Sequence, residues 1–306
     1  MNLELNLKLE KFLENLITKK NLSRNTFLSY KNDIKQFFAI LGISNLESLN
    51  EKKIVSYVNF LSLNYSPTSH SRKLSSLKSF FNFLCDRKYL ENNLFDSVEY
   101  PRFTRRIPKV LSEEQILKII DVSYEDKTFK GKRFSLMLEI LYATGIRISE
   151  LVGLKLGDIA DDLSYIIVLN KGGQQRQVPI ISKVQNLLKQ YLNGLQNNEF
   201  TINKNFLFSS KSKTGHLTRN RFFQILQQAG VKVGIPKNDL SPHKIRHSFA
   251  SHLLERGVDL RVIQESLGHK DISTTQIYTH IKTKKLRKIL EEKHSLQKNI
   301  DKLIKI

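Results

Sequence analysis

The chain has 306 residues, of which 50 are lysine or arginine and 29 are aspartate or glutamate, so its formal net charge is +21. Hydrophobic residues make up 40% of it, which excludes a wholly disordered chain, and the length predicts two domains. No apolar run reaches the ~18–20 residues that a membrane span needs. Charges at Glu4, Lys8 and Glu10 argue against a signal peptide.

The positive charge is spread along the whole chain and indicates a polyanionic partner. Charge alone leaves DNA, RNA, the ribosome and anionic lipid open. The single cysteine, Cys85, excludes an internal disulfide and fits a reducing cytoplasm. We therefore expect a cytoplasmic protein.

The first hundred residues carry apolar side chains at helical spacing, with breaks between the segments. The apolar positions are Phe27, Tyr30, Ile34, Phe37 and Phe38; Ile54, Tyr57, Val58 and Leu61; and Leu74, Leu77, Phe81 and Leu84. Ser23 is a candidate N-cap, and Ser66-Pro67 is interpreted as a helix breaker. The pattern predicts a four-helix unit whose stripes form a core. Its basic residues Arg72, Lys73 and Lys78 are either a solvated surface or a phosphate-contacting one.

Residues 100–110 have the composition of a basic linker. Pro101 and Pro108 exclude a continuous helix, and the basic residues here include Arg102, Arg105 and Arg106. We therefore predict a helical domain over 1–103, a linker over 104–110 and a second domain over 111–306.

The second domain is predicted to be mainly helical with one small β-hairpin. Ser112 has the pattern of a capping residue, and strands are expected over 165–169 and 177–180 with Lys171-Gly172-Gly173 at the tip. The spacing of apolar residues over 284–306 predicts a basic amphipathic helix that is bent near His294. That helix could dock on a neighbouring copy or pack in cis. The predicted fold class is mainly α with a small β-hairpin, in two domains.

Several residues can be interpreted as phosphate-binding groups if the partner is a nucleic acid. Arg147 follows a glycine turn at a helix start, where its guanidinium can bind an anion. Pro242 opens a helix that places His243 and Arg246 one turn apart on one face. Metal-ligand motifs and paired catalytic carboxylates are not evident. We therefore expect no metal and no other cofactor.

Four boxes, read together, resemble the signature of the tyrosine recombinase (phage integrase) family. They are Ala143-Thr-Gly-Ile-Arg-Ile-Ser-Glu-Leu, Pro242-His-Lys-Ile-Arg-His-Ser-Phe-Ala, Leu267-Gly-His and Thr274-Thr-Gln-Ile-Tyr-Thr-His. Near the N-terminus, Leu22-Ser-Arg-Asn-Thr and Arg72-Lys-Leu-Ser-Ser-Leu-Lys-Ser-Phe-Phe resemble the core-binding domain of its Xer group. The resemblance runs in order from about residue 10 to about residue 283.

The resemblance implies a role for each matched residue. Tyr278 matches the nucleophile that forms a 3′-phosphotyrosine, and Arg147 and Arg246 match the pair that clamps the non-bridging oxygens. The matches that assist the reaction are His243 and His269, which contact the scissile phosphate; Lys171, which protonates the leaving 5′ oxygen; and Glu150, which supports the arginines. A phenol of pKa about 10 needs such cations to react at neutral pH.

The resemblance implies two domains that clamp duplex DNA, with no membrane partner. The implied activity is site-specific DNA strand exchange by transesterification. The resemblance further implies a tetramer on two duplexes, a second recombinase, a DNA translocase, and resolution of chromosome dimers at cell division. Alternatives that stay open are the other recombinase of such a pair, a single-recombinase system and a phage or mobile-element integrase. A type IB topoisomerase, a non-catalytic DNA-binding protein and an RNA-binding protein fit less well.

Overall fold

The computed structural model describes residues 1–20, 24–101, 110–169, 173–196, 205–268 and 279–296. The chain divides into two compact units, Met1–Arg106 and Ile107–Ile306. All but the last residue of the predicted linker 104–110 lies outside the described residues, so its course stays a prediction. Within the described ranges, no helix is long and apolar enough to cross a membrane.

The N-terminal unit contains the four helices that the sequence predicts. They are α1 (Leu3–Lys20), α2 (Arg24–Ile40), α3 (Glu51–Asn64) and α4 (Pro67–Asp86). The interpretation of Ser66-Pro67 as a simple breaker is incomplete, because this dipeptide also opens α4. Ser66 accepts a hydrogen bond from the Ser69 N–H, and proline is well tolerated at the first helical position, where its missing N–H costs nothing. The Ser23 cap lies outside the described residues.

An aromatic cluster forms the core of this unit. Phe37, Tyr57, Phe81 and Phe95 are almost completely buried. The rings of Phe37 and Tyr57 meet edge to face with centroids 4.8 Å apart, and those of Phe81 and Phe95 lie 4.9 Å apart. Such contacts contribute beyond simple area burial. The prediction that the apolar stripes are core is confirmed.

The second unit is helical around one antiparallel hairpin, as predicted. Its elements are α5 (Glu113–Ser123), α6 (Phe129–Thr144), α7 (Ile148–Val152), β1 (Tyr165–Leu169), β2 (Gln175–Pro179), α8 (Ser182–Gln196), α9 (Arg219–Lys232), α10 (Pro242–Glu255), α11 (Leu260–Leu267) and α12 (Thr279–Lys293). Helix α6 is buried over most of its length and forms the centre of the core.

The register of the hairpin fixes which residues face the core. Tyr165 lies opposite Pro179 and Leu169 opposite Gln175, so β2 begins two residues before the predicted strand. Ile166, Val168 and Val178 are buried. The tip residue Lys171 lies outside the described residues.

The end of α12 differs from the prediction of one helix, bent near His294, that continues to the end of the chain. Helix α12 ends at Lys293, and His294 turns inward, where it is buried. Its Nε2–H donates to the Tyr142 carbonyl at 3.0 Å, and its Nδ1 accepts the Leu296 N–H at 3.2 Å. The Tyr142 hydroxyl also contacts the Ser295 hydroxyl at 2.7 Å. Residues 294–296 therefore pack in cis, whereas docking by residues 297–306 stays a prediction.

We predict that His294 makes the second unit sensitive to acid. Burial lowers the pKa of His294 to about 3, while an unfolded histidine titrates near 6.5. The unfolded chain therefore binds the extra proton, so stability is complete above pH 6.5 and declines as the pH falls toward 3. Between pH 7.5 and 5.5 the loss from this group is about 1.4 kcal/mol.

Urea unfolding at the two pH values measures this loss. The His294→Gln variant keeps an N–H donor but does not titrate, so it should lose about 1.4 kcal/mol less than the native chain on acidification. His252 is buried as well, and its lowered pKa gives the remaining dependence the same sign. Equal pH dependence in the two proteins would contradict the assignment.

Candidate active site

The turn between α6 and α7 places Arg147 at the surface of the second unit. Gly145 caps α6 with a φ of +63°, and a Cβ there would lie 2.4 Å from the Phe249 ring, so both backbone and packing require glycine. The Arg147 N–H then donates to Glu150 Oε2 at 2.8 Å, and its Nη1 donates to Oε1 at 3.0 Å. The Arg147 side chain remains 40% exposed.

Arg246 lies on α10 and is fixed by backbone carbonyls. Ser241 caps this helix by accepting the Lys244 N–H at 3.1 Å. The Arg246 guanidinium is buried and donates to the Gly145 carbonyl at 2.5 Å and to the Leu267 carbonyl at 2.7 Å. Burial and the nearby charge of Arg147 lower the pKa of Arg246 to about 10, so it stays charged at neutral pH.

His243 lies one turn before Arg246 and remains accessible to solvent. Its Nε2 is 3.2 Å from Nε2 of His247, which is also exposed. Partial desolvation lowers the pKa of His243, and the charges of His247, Arg246 and Arg147 lower it further. A neutral imidazole at pH 7 can accept a proton. The site therefore combines two arginines with a candidate base.

Glu150 connects Arg147 to a third arginine, Arg176 on β2. Arg176 donates from Nη1 to Oε1 at 3.1 Å and from Nη2 to Oε2 at 3.0 Å. The Glu150 side chain is only 4% exposed. Burial alone would raise the pKa of Glu150, but the hydrogen bonds from Arg176 and from the Arg147 backbone outweigh it and lower the pKa. The carboxylate is therefore ionised and accepts four hydrogen bonds.

Arg176 is the site residue that sequence reasoning missed. In the alternation of β2 it shares a side with Val178, which is buried, and its cross-strand partner is Val168. A charged residue in phase with buried positions of a strand signals an inward-facing ion pair. That signal is present in the sequence, although the partner Glu150 cannot be read from it.

Three of the predicted catalytic residues, Lys171, His269 and Tyr278, lie outside the described residues. Helix α11 ends two residues before His269, and α12 begins directly after Tyr278. The structure brings together Arg147, Glu150, His243 and Arg246, and the roles of the other three stay predictions. Among the described residues, no group of three or more His, Cys, Asp or Glu side chains is placed to hold a metal ion.

The predicted DNA-contacting residues of the N-terminal unit require one correction. Lys73 is buried, and its Nζ lies 3.0 Å from Asp33 Oδ1 and 2.5 Å from Gln36 Oε1. It is committed to an internal ion pair because an unpaired buried ammonium is costly, so we remove it from the candidate phosphate contacts.

The other predicted contacts in and after this unit keep their status as predictions. Arg72 pairs with Asp33 but remains 46% exposed, and Lys78 lies 3.3 Å from Asp96. The linker candidates, Arg102, Arg105 and Arg106, lie outside the described residues.

Comparisons with known proteins identify the class. The chain matches the phage integrase family over residues 109–285, and the N-terminal SAM-like domain of phage integrases over residues 9–88. The chain therefore belongs to the phage integrase family, whose members are tyrosine recombinases.

The segments Leu240–Leu253 and Ser273–His280 favour the XerD branch of that family, and the curated relatives agree. The chain is 39% identical over 303 residues to tyrosine recombinase XerD of Rickettsia bellii, covering 95% of this chain and 99% of the relative. It is 36% identical to tyrosine recombinase XerD of Caulobacter vibrioides, covering 93% and 95%. The chain is a tyrosine site-specific recombinase of the XerD type, an enzyme that cleaves and rejoins DNA.

Solved structures share the fold at low sequence identity. The post-cleavage complex of XerH with a palindromic difH substrate matches with a TM-score of 0.68 at 20% identity, covering 93% of this chain and 94% of that one. A lambda integrase tetramer bound to a Holliday junction matches with a TM-score of 0.67 at 19% identity, covering 94% and 78%. These matches confirm the predicted fold class, a helical N-terminal domain and a mainly helical domain with a small sheet.

Proposed function

We propose that the chain binds duplex DNA at a specific site and attacks one strand with Tyr278. The attack forms a 3′-phosphotyrosine and frees a 5′ hydroxyl, and the 5′ hydroxyl of a partner duplex then attacks that linkage. Each step exchanges one phosphoester for another, so the sequence of steps requires neither ATP nor net hydrolysis. The observation that supports it best is the convergence of Arg147, Arg246 and His243.

The two arginines are suited to the phosphorane that forms during the attack. The phosphodiester carries one negative charge, and a second develops on its non-bridging oxygens in the transition state. Arg246 is held by two carbonyls and Arg147 by Glu150, so neither guanidinium has to be ordered during the reaction. Preorganised donors of this kind each contribute about 10²–10³ in rate.

Proton transfer completes the chemistry. His243, neutral at pH 7, accepts the Tyr278 proton or hydrogen-bonds a phosphate oxygen. His269 donates to the scissile phosphate. Lys171, from the hairpin tip, protonates the leaving 5′ oxygen. Glu150 fixes the arginines and does not contact DNA.

The pH dependence of cleavage tests His243. We expect the rate to fall on the acid side of an apparent pKa below 6.5, because desolvation and then the charges of His247, Arg246 and Arg147 lower the pKa of His243. The His247→Gln variant removes one of those charges, so its acid limb should move up toward 6.5. Single-turnover rates of covalent-complex formation between pH 5 and 8 measure the apparent pKa of this acid-side fall. An apparent pKa that is unchanged or lower in His247→Gln would contradict the assignment of His243.

At the level of the cell, we propose that the enzyme resolves chromosome dimers at cell division. It would act as part of a tetramer on two duplexes, with a second, XerC-like recombinase and under the control of a DNA translocase. Support comes from the XerD relatives, from the lambda integrase tetramer on a Holliday junction, and from the net charge of +21. Binding by phosphate neutralisation should weaken steeply with salt.

A plasmid that carries two candidate sites in direct repeat tests this function. Incubation with the protein and a second recombinase from the same genome should yield two smaller circles, and omission of either protein should prevent it. Recombination by this chain alone would favour a single-recombinase system. Relaxation of supercoils on a plasmid without sites would favour a topoisomerase and contradict the proposal.

A further inference from the structure

Arg176 occupies a place between the hairpin and the two arginines of the proposed clamp. We propose that Arg176 is a positioning residue that saturates the Glu150 carboxylate and so leaves the charge of Arg147 available to the scissile phosphate. The proposal rests on the proposed function, because it concerns the same phosphate site. Four observations carry it.

The first observation is the geometry of the carboxylate. Each oxygen of Glu150 accepts two hydrogen bonds, one from Arg147 and one from Arg176, over 2.8–3.1 Å. The two bonds from Arg176 are parallel and bidentate, the strongest arrangement between a guanidinium and a carboxylate. Arg147 contributes its backbone N–H and one guanidinium nitrogen. Glu150 is thus held mainly by Arg176 and holds Arg147 in turn.

The second observation is the difference in exposure between the two arginines. The Arg176 side chain is 16% exposed and that of Arg147 is 40% exposed. Arg176 is therefore shielded, whereas Arg147 remains open to a ligand. This asymmetry separates an inner, structural partner of Glu150 from an outer one that can contact DNA.

The third observation is the packing of Arg176 against the end of α11. A Cβ on Gly268 would lie 2.9 Å from both Cζ and Nε of Arg176, so the guanidinium lies directly against this glycine. The carbonyl of the preceding residue, Leu267, accepts a hydrogen bond from Arg246 Nη2 at 2.7 Å. The turn at Leu267 and Gly268 therefore contacts both Arg176 and Arg246, and it connects Arg176 to the second arginine of the clamp.

The fourth observation is the charge balance. The site contains the three guanidinium groups of Arg147, Arg176 and Arg246 and the one carboxylate of Glu150, which leaves a formal surplus of two positive charges. A phosphorane with two negative charges matches that surplus. Without Arg176 the surplus falls to one, and Glu150 competes with the phosphate for Arg147. Arg176 thus acts on the reaction through Glu150, without touching the phosphate.

The simplest rival is that Arg176 only fastens the hairpin to α7. Single-turnover cleavage of a nicked duplex separates the two roles, with DNA affinity and thermal stability measured in parallel. We expect Arg176→Gln to slow cleavage about 10- to 100-fold, as expected for a displaced catalytic group, with DNA affinity changed less than about threefold. Arg176→Lys keeps the charge but not the bidentate geometry and should recover part of the rate.

A neutral substrate supplies the readout that a fastening role would not affect. A methylphosphonate at the scissile position lacks one anionic oxygen and depends less on the charge of Arg147. The rate ratio between the native enzyme and Arg176→Gln should therefore shrink toward one on this substrate. The Arg176→Gln, Glu150→Gln double variant should be no slower than Arg176→Gln alone, because the competing negative charge is gone while the introduced amide oxygen can still accept a hydrogen bond from Arg147.

The matched control is Arg133→Gln. Arg133 is a partly buried arginine of the same unit, and its Nη1 donates to the Ser209 carbonyl at 2.6 Å. The Arg133→Gln variant should cleave both substrates at the native rates. Two results would overturn the proposed role of Arg176 but leave the proposed function intact. One is a cleavage rate of Arg176→Gln within about twofold of the native rate, and the other is an equal loss of cleavage rate on both substrates. A native enzyme that forms no Tyr278-dependent complex would overturn the proposed function as well.

Discussion

Replacement of Tyr278 by phenylalanine is expected to abolish covalent attachment to DNA completely. The variant lacks only the phenolic oxygen, which is the atom proposed to bond to phosphorus. Binding to duplex DNA should stay within about twofold of the native affinity, because the predicted phosphate contacts are unchanged. Denaturing gels of a nicked duplex, run beside mobility shifts of the intact duplex, measure both quantities.

The control for this experiment is Tyr191→Phe. Tyr191 is buried in the second unit, and its hydroxyl donates to the Leu207 carbonyl at 3.4 Å. This variant should form the covalent complex like the native enzyme. A complex that persists in Tyr278→Phe would contradict the assignment of the nucleophile.

The second large effect is expected at Arg246. Arg246→Gln removes a charge from the phosphate site, and we expect cleavage to slow by about 10³, the upper range for loss of one preorganised donor. The same change leaves the Gly145 and Leu267 carbonyls without their donors. Each unsatisfied buried carbonyl costs about 1–3 kcal/mol, so the free energy of unfolding should fall as well.

Arg246→Lys separates the two effects. Lysine restores the positive charge but cannot bridge two carbonyls in the planar geometry of a guanidinium. We expect partial recovery of cleavage and little recovery of stability. Urea unfolding and single-turnover rates measure the two properties. Equal recovery of both would mean that Arg246 acts only through folding, which would contradict its place in the clamp.

Helical spacing and local caps could be predicted from the sequence because they depend on near neighbours. The stripe from Phe27 to Phe38 and the cap at Ser112 form from residues three or four positions apart, and the structure contains them. The same is true of His243 and Arg246, which α10 places one turn apart. Their pairing with Arg147, nearly a hundred residues away, came only from the resemblance to a family.

Contacts between distant segments could not be predicted. The burial of Lys73 on α4 depends on its ion pair with Asp33 on α2. The inward turn of His294 depends on its hydrogen bond to the Tyr142 carbonyl. Amphipathic spacing alone shows no reason for α12 to end at Lys293. Arg176 was missed for the same reason, since its partner Glu150 lies on another element.

We expect the bond to DNA to form at one identifiable atom, the phenolic oxygen of Tyr278, and mapping that bond is the sharpest test of the proposed chemistry. The protein is incubated with a nicked duplex in EDTA, the covalent complex is digested with protease, and the peptide attached to the DNA is identified by mass spectrometry. We expect one adduct, on Tyr278, joined to the 3′ phosphate and paired with a free 5′ hydroxyl. An adduct on another residue, a 5′ linkage, or a cut strand without any attached peptide would contradict the assignment of Tyr278 as the nucleophile.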